Sequence, residues 1–281
     1  MIQSSQSGIR MVITDLDGTL HHPETGISRY DTDSLLMLGR AGITRVIATG
    51  RNLFSFRRII SEDFPVDYLI YSSGAGIMNW KTGELMYSAT LPLSRAAAIS
   101  AILRNENVDF MVHNAVPDNH LFVYHGNKEN NDDFRRRLEM YGDFARPLGD
   151  DIPFGEVSQI LIIVPPGRSL YRQFVERFPG VKVIRSTSPI NGQSMWIEIF
   201  NSEVSKGNAV GWLCRQLGVD REQTLACGND YNDIELLEWA GRAYLLDNAP
   251  EELKARFRNA QSVQNSGFSG VIAKYFPDNM Q

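Results

Sequence analysis

The chain alternates short aliphatic and β-branched runs with longer segments of helical periodicity. Met11-Val12-Ile13 is apolar at consecutive positions, which predicts a strand buried on both faces, and the turn-rich stretch Asp15 to Gly26 follows it. The next segment carries Leu35, Leu36 and Leu38 near its middle and closes at Gly42, the pattern of a helix with a glycine stop. Arg45 to Ala48 predicts a second strand with a helix opening after Gly50. Tyr68 to Tyr71 predicts a third strand, ending in Ser-Ser-Gly-Ala-Gly. Strand and helix in alternation predict a parallel sheet with right-handed crossovers and a site at the carboxyl ends of its strands.

From Leu91 to Gln193 the pattern is less regular. Helices are predicted over Ser94 to Asn105, Asn130 to Tyr141 and, after the breaker Pro165-Pro166-Gly167, Ser169 to Arg177. Strands are predicted over Asp109 to His113, Leu121 to Tyr124, Gln159 to Val164 and Val181 to Ile184. The triplet Arg135-Arg136-Arg137, flanked by Asp132, Asp133 and Glu139, predicts a solvated helix face. From Trp196 the alternation resumes, with strands over Trp196 to Phe200, Thr224 to Cys227 and Ala243 to Leu246. Helices are expected over Ser205 to Leu217 and Asp233 to Ala240, and two short ones finish the chain. The expected fold class is α/β: a Rossmann-like parallel-sheet core, residues 1–88 plus 200–281, interrupted by an inserted α+β domain over 89–199. Hinges are expected near Ser88 to Pro92 and Gln193 to Trp196.

Composition narrows the class. The length of 281 residues suits about two domains. Hydrophobic residues at 43% and charged residues at 22% are ordinary for a globular protein and exclude a disordered or disulfide-scaffold chain. The net charge of -5 sets a nucleic-acid-coating role aside. Cys214 and Cys227 belong to no ligand or redox pattern and are expected to act as small core hydrophobes. The polar start MIQSSQSGIR lacks the apolar stretch of a signal peptide, and the longest aliphatic run, Ile160 to Val164, is far short of the ~20 residues a spanning helix needs. The expectation is a cytoplasmic protein without membrane or nucleic-acid partners. The chain does not specify an oligomeric state.

Four polar clusters stand out, three of them where a strand of the regular part gives way to a loop or helix. The first is Asp15-Leu16-Asp17-Gly18-Thr19-Leu20, after the strand Met11 to Ile13. Two carboxylates two residues apart at a strand end are costly to bury unless they share a cation or a proton. An EF-hand loop would need Gly at its sixth and Glu at its twelfth position, where this chain has Leu20 and Gly26. The second cluster, Ala48-Thr49-Gly50-Arg51, sets a hydroxyl and free backbone amides at a helix N-terminus, an anion-binding corner. The third is Ser205-Lys206-Gly207-Asn208: a lysine this early in a helix opposes the macrodipole, which suggests a bound anion. The fourth, Gly228-Asn229-Asp230-Tyr231-Asn232-Asp233, is a second oxygen-rich corner.

Together, a strand followed by DLDGT, another followed by TGR, a lysine opening a helix and the late GNDYND stretch resemble the haloacid dehalogenase-like (HAD) hydrolases, in their Cof-type branch. Ile197-Glu198-Ile199 before Val204-Ser205-Lys206-Gly207, and Asn265-Ser266-Gly267-Phe268-Ser269-Gly270-Val271, fit the same family. The resemblance implies that Leu91 to Gln193 is a cap domain. It implies a Mg²⁺-dependent phosphatase acting on a small phosphorylated metabolite, a sugar phosphate above all. Asp15 would be the nucleophile that forms an aspartyl-phosphate, and Asp17 the general acid and base. Thr49, Gly50, Lys206 and Asn232 would bind the phosphoryl group. The metal would lie among Asp15, Asp17, Asn229, Asp230 and Asp233. The family's last motif has Asp after the glycine where this chain has Asn229, so either Asn229 or Asp230 would supply that ligand.

Other patterns fail. Gly74-Ala75-Gly76 resembles a dinucleotide fingerprint, but its third glycine position holds Asn79; no P-loop motif exists, and Gly267-Phe268-Ser269-Gly270 is no nucleophile elbow. His113, His120 and His125 in the insertion are expected to be surface or packing residues, not zinc ligands, with contact of one of them to substrate left open. Competing functions are a phosphomutase of the same fold, a phospho-receiver, which the length and the large insertion oppose, and a metal- or phosphate-binding relative with weakened catalysis.

Overall fold

The computed structural model describes residues 8–126, 131–149, 155–165 and 171–277. The chain forms two units. One comprises Met1–Arg51, Ile59–Met86 and Ser205–Gln281; the other comprises Asn52–Arg58 and Tyr87–Val204.

In chain order the elements begin with β1 (Met11–Thr14), β2 (His21–His22), β3 (Gly26–Ile27), α1 (Arg29–Arg40), β4 (Thr44–Ala48), α2 (Leu53–Arg57), β5 (Tyr68–Tyr71), β6 (Gly76–Asn79) and β7 (Leu85–Ser88). Next come α3 (Leu93–Asn105), β8 (Phe110–Asn114), β9 (Phe122–His125), α4 (Asp132–Tyr141), β10 (Ala145–Pro147), β11 (Val157–Val164), α5 (Tyr171–Arg177), β12 (Val181–Thr187) and β13 (Met195–Asn201). The last are α6 (Lys206–Leu217), β14 (Thr224–Gly228), α7 (Ile234–Trp239), β15 (Arg242–Leu246), α8 (Glu251–Lys254), β16 (Arg258–Ala260) and α9 (Gly267–Tyr275).

The first sheet runs β16-β15-β14-β1-β4-β5-β6-β7. Its strands from β16 to β5 are parallel, and β6 returns antiparallel to β5. β1 is buried at all four positions, as its unbroken apolar run predicts. Parallel strands send their carboxyl ends to one edge, so the loops after β14, β1, β4 and β5 lie in a row there.

The second sheet runs β10-β9-β8-β11-β13-β12 and is mostly antiparallel. One core cluster gathers Ile99 and Leu103 of α3, Phe174 of α5, and strand residues such as Ile160 and Ile197. Another gathers Phe134 and Leu138 of α4 with Met111, Leu161, Ile163 and Trp196. Neighbouring strand residues such as Ile162 and Ile163 enter different clusters, as the two-residue period requires.

Several expectations shift. β13, expected to restart the regular core, pairs with β11 and β12 in the second sheet. The return to the first unit falls between Val204 and Ser205, beyond the expected hinge at Gln193 to Trp196, and the segment Asn52–Arg58 belongs to the second unit. Ser169, expected to open a helix, and Asn130 lie outside the described residues. The arginine triplet is not one solvated face. Arg135 is half-buried and pairs with Asp132 and Glu139, whereas Arg137 is buried with its guanidinium over the rings of Trp196 and Tyr141. Asp133 is also buried and accepts from Trp196 Nε1 at 2.7 Å and Ser188 Oγ at 2.9 Å. Residues 133 and 137 are one turn apart and share a face, while 135 points the other way.

The remaining side-chain expectations concern packing. His113 is buried and shares a 2.7 Å hydrogen bond between Nδ1 and the Asn119 carbonyl; His120 stacks on Phe54, and His125 lies against Phe110. Both cysteines are buried, and burial pushes the thiol of Cys214 up to about 11 and that of Cys227 to about 12, as inert core positions require. Among the described residues, no helix is long and apolar enough to cross a membrane.

Candidate active site

The row of loops after β14, β1 and β4, together with the start of α6, brings most of the expected residues together. Asp15 leaves the end of β1, and its backbone N–H donates to the Cys227 carbonyl of β14 at 2.9 Å, which fixes the carboxylate between the two strands. Asp15 Oδ1 accepts from Lys206 Nζ at 2.6 Å, and the same ammonium donates to Asp233 Oδ1 at 2.6 Å. All three side chains are buried. Asp233 Oδ2 accepts from the backbone N–H groups of Asn229 at 2.8 Å and Asp230 at 3.1 Å.

The anions that offset the lysine at the start of the helix are the protein's own carboxylates, Asp15 and Asp233. Ser205 caps α6 by accepting from Asn208 N–H, which leaves Lys206 at the first helical position, directed at Asp15. Burial by itself lowers the pKa of Lys206, but Asp15 and Asp233 outweigh it and hold the ammonium charged. Burial raises the pKa of Asp15 above the usual carboxylate range, Asp233 and Asp17 add to this, and Lys206 opposes it.

Asp17 faces a different partner. Arg51 chelates it in a two-pronged bridge, Nε to Oδ2 and Nη2 to Oδ1, each at 2.7 Å. Gly18 makes the turn that separates the two acids: its φ is +78°, and a Cβ there would lie 2.4 Å from the Asn229 amide. One end of that amide lies 2.9 Å from Thr19 Oγ1, 3.1 Å from Asp15 Oδ2 and 2.9 Å from the Asp17 carbonyl oxygen. The Asp230 carboxylate is instead engaged in a reciprocal capping box with Asp233 at the start of the turn Tyr231–Asp233. Asn229, not Asp230, is thus the side chain at the Asp15 corner.

The Thr49-Gly50 corner after β4 is also assembled. Thr49 is buried, its Oγ1 accepts from Arg51 N–H at 3.1 Å, and its N–H donates to the Ile70 carbonyl of β5 at 2.8 Å. Gly50 leaves open the space a Cβ would fill, and Asn232 Nδ2 and Ser73 Oγ are the nearest side-chain atoms around it, 3.3 and 3.6 Å from that position.

The donors around Asp15 suit a hard divalent cation. Asp15 Oδ2 and the Asp17 carbonyl lie 3.1 and 2.9 Å from the same end of the Asn229 amide, so with the amide oxygen turned to that end all three offer oxygen, the chemistry Mg²⁺ prefers. Among the described residues, no group of three His, Cys, Asp or Glu side chains forms a metal cage.

Two residues near these groups escaped the sequence reading of individual roles. Arg51 is visible inside the Thr-Gly-Arg cluster, but its partner Asp17 is 34 residues away. Ser73 carries no motif signal beyond the small-residue run after β5.

The sequence profile of the haloacid dehalogenase-like hydrolases matches residues 12–273. The 5-amino-6-(5-phospho-D-ribitylamino)uracil phosphatase YwtE of Bacillus subtilis is 26% identical, over 88% of this chain and 91% of its own length. Among solved structures, the phosphatase BT1666 of Bacteroides thetaiotaomicron superposes with a TM-score of 0.80 at 20% identity, covering 98% of each chain. The HAD subclass IIB sugar phosphatase BT4131 superposes with a TM-score of 0.76 at 19% identity, covering 95% of this chain and 99% of that one. The chain belongs to the haloacid dehalogenase-like hydrolase family.

Proposed function

We propose that the protein is a Mg²⁺-dependent phosphatase that hydrolyses a small phosphorylated metabolite, of the sugar-phosphate kind, through an aspartyl-phosphate on Asp15. The observation that carries this reading is the chain Asp233–Lys206–Asp15 beside an independently held Asp17. One carboxylate is fixed by a buried ammonium, and the second is set two residues along on a turn. That is the division a nucleophile and an acid/base need.

In the first half-reaction an Asp15 carboxylate oxygen attacks phosphorus as the ester oxygen leaves with a proton from Asp17. In the second, Asp17 takes a proton from water, which attacks the same phosphorus; the P–O bond to Asp15 breaks and inorganic phosphate leaves. Arg51 fixes the direction of the Asp17 carboxylate through its two-pronged bridge. Lys206, Thr49, the Gly50 backbone and Asn232 surround the transferring oxygens and supply preorganised donors. Asp15 Oδ2, the Asp17 carbonyl and Asn229 would hold Mg²⁺, with Asp233 acting through Lys206 and Asp230 through the capping box. When bound, the cation offsets repulsion between the anionic nucleophile and the anionic ester. The sugar-phosphate class is supported by what the names of two relatives state they act on, a phosphorylated ribityl compound and a sugar phosphate.

Replacing Asp15 by Asn tests the mechanism: the variant is expected to keep the wild-type circular dichroism and to lose at least ~1000-fold in kcat on p-nitrophenyl phosphate with Mg²⁺. Wild-type turnover in Asp15→Asn would overturn it. A panel of phosphorylated sugars and nucleotides, scored by phosphate release, identifies the substrate. Release that requires a sugar bisphosphate would mark a phosphomutase instead.

A further inference from the structure

The sequence motifs place functional groups after β14, β1 and β4, but the row of carboxyl ends continues to β5. The turn there, Ser72-Ser73-Gly74, has φ values of +50°, +56° and +104° at consecutive residues. Serine pays an energetic cost in the left-handed region, and such strain persists only where the surroundings over-determine it.

Here the surroundings are the motif-bearing segments themselves. Ser72 N–H donates to the Arg51 carbonyl at 2.8 Å and Ser73 N–H to the Thr49 carbonyl at 3.0 Å. On the other side, a Cβ on Gly74 would lie 2.4 Å from the Ser205 carbonyl, so the turn is pressed against the cap of the helix that begins with Lys206. The turn is therefore locked between the residues expected to bind the phosphoryl group from two directions.

Ser73 is fully buried, like Thr49 and Lys206, and its Oγ has no hydrogen-bond partner. A buried hydroxyl left unsatisfied is costly, and a sequence free to place Gly or Ala here would avoid that cost. The hydroxyl stands 3.6 Å from the position of a Gly50 Cβ, where Asn232 Nδ2 also lies. The rotation of its O–H is a freedom the clamp leaves.

We propose that Ser73 is a phosphoryl-binding residue, whose hydroxyl donates a hydrogen bond to an oxygen of the phosphate group held at the Thr49-Gly50 corner. This rests on the phosphatase reading of that corner and adds to it a fourth loop, the one after β5. The ligand chemistry is a phosphate oxygen, whether of the ester or of the released product.

The test uses the full chain with Mg²⁺ and inorganic phosphate as the probe, followed by isothermal titration and by melting with and without phosphate. Hydrogen bonds to a charged partner are strong enough that Ser73→Ala is expected to weaken phosphate binding roughly tenfold, with the phosphate-free Tm within about a degree of wild type. Ser73→Gly removes the same hydroxyl and releases the left-handed strain. Its phosphate affinity falls as in Ser73→Ala while its phosphate-free Tm is held or raised. A residue that merely supports the turn would not separate affinity from stability in this way. Wild-type phosphate affinity in Ser73→Ala overturns the assignment. If the wild-type protein itself binds no phosphate, the reading of the whole corner falls and this assignment falls with it.

Discussion

Asn229 is the residue at which this chain departs from its family's usual motif, and its surroundings say what the departure does. Two of the three oxygens at one end of its amide, Asp15 Oδ2 and the Asp17 carbonyl, accept hydrogen bonds only. Without a cation the NH₂ end of the amide is the complementary group, and a cation requires the carbonyl end. An aspartate in the same place would offer more charge to the metal and more repulsion to Asp15. The variant Asn229→Asp is therefore expected to bind Mg²⁺ at least ~10-fold more tightly, since affinity of such sites follows ligand charge. Its metal-free form is expected to melt below the wild type, because one more carboxylate then faces Asp15, which Asp233 and Asp17 already crowd. Calorimetric Mg²⁺ titration and metal-free melting curves check both. Unchanged values in each would place the cation elsewhere.

At the scale of elements, Gly207 shows how closely packing and chemistry are coupled. It follows Lys206 in the first turn of α6, and a Cβ there would lie 2.6 Å from the Glu235 carbonyl oxygen of α7. The helix can approach α7 only without a side chain, and that approach brings Lys206 to Asp233. Gly207→Ala is expected to cost about 1–3 kcal/mol, the usual range for overpacking, and to lower kcat by displacing the ammonium. Denaturant titration and steady-state kinetics measure the two effects, and a variant as stable and active as wild type would contradict the packing argument.

Elements were legible in the sequence where burial dictates a local pattern. β1, β4, β5, β11 and β14 each contain an apolar run, such as Val46-Ile47-Ala48 and Ile160 to Val164, because both of their faces are covered, and α1, α4 and α6 carry side-chain caps and a glycine at or just past their ends. The short pieces β2, β3, β10 and β16 leave no such signal, since each is two or three residues long and partly exposed. Partnership was less visible still. Nothing in Trp196 to Phe200 says that it pairs with β11, and nothing in Arg51 says that its fork closes on Asp17. Both facts depend on groups distant in sequence. The clustered acids were readable because their cost must be met wherever the chain folds. Ser73 was not, because an unsatisfied hydroxyl on a strained turn is a property of the surroundings.

For the molecule as a whole, the inserted unit has its own titration. His113 is buried in β8, and burial first, with the Arg137 charge and His120 adding to it, lowers its pKa from 6.5 to about 3; the hydrogen bond to the Asn119 carbonyl opposes this. The folded state thus holds His113 neutral while the unfolded chain protonates it below pH 6.5. The sign follows: the full contribution is present above 6.5 and is lost as pH falls from there toward about 3. Between pH 7 and about pH 5 the loss from this one group is about 2 kcal/mol, at ~1.4 kcal/mol per pH unit below the unfolded pKa. His113→Asn keeps a donor for the Asn119 carbonyl and has no charge to gain. Hydrogen exchange of the β8 and β11 amides at the two pH values, corrected for intrinsic rates, is expected to show the wild type losing about 2 kcal/mol more protection than the variant. Equal losses would mean that His113 takes up its proton in the folded chain. The apolar core around β8 would then have to admit a charge beside Arg137, which its packing against Phe122 and Trp196 opposes.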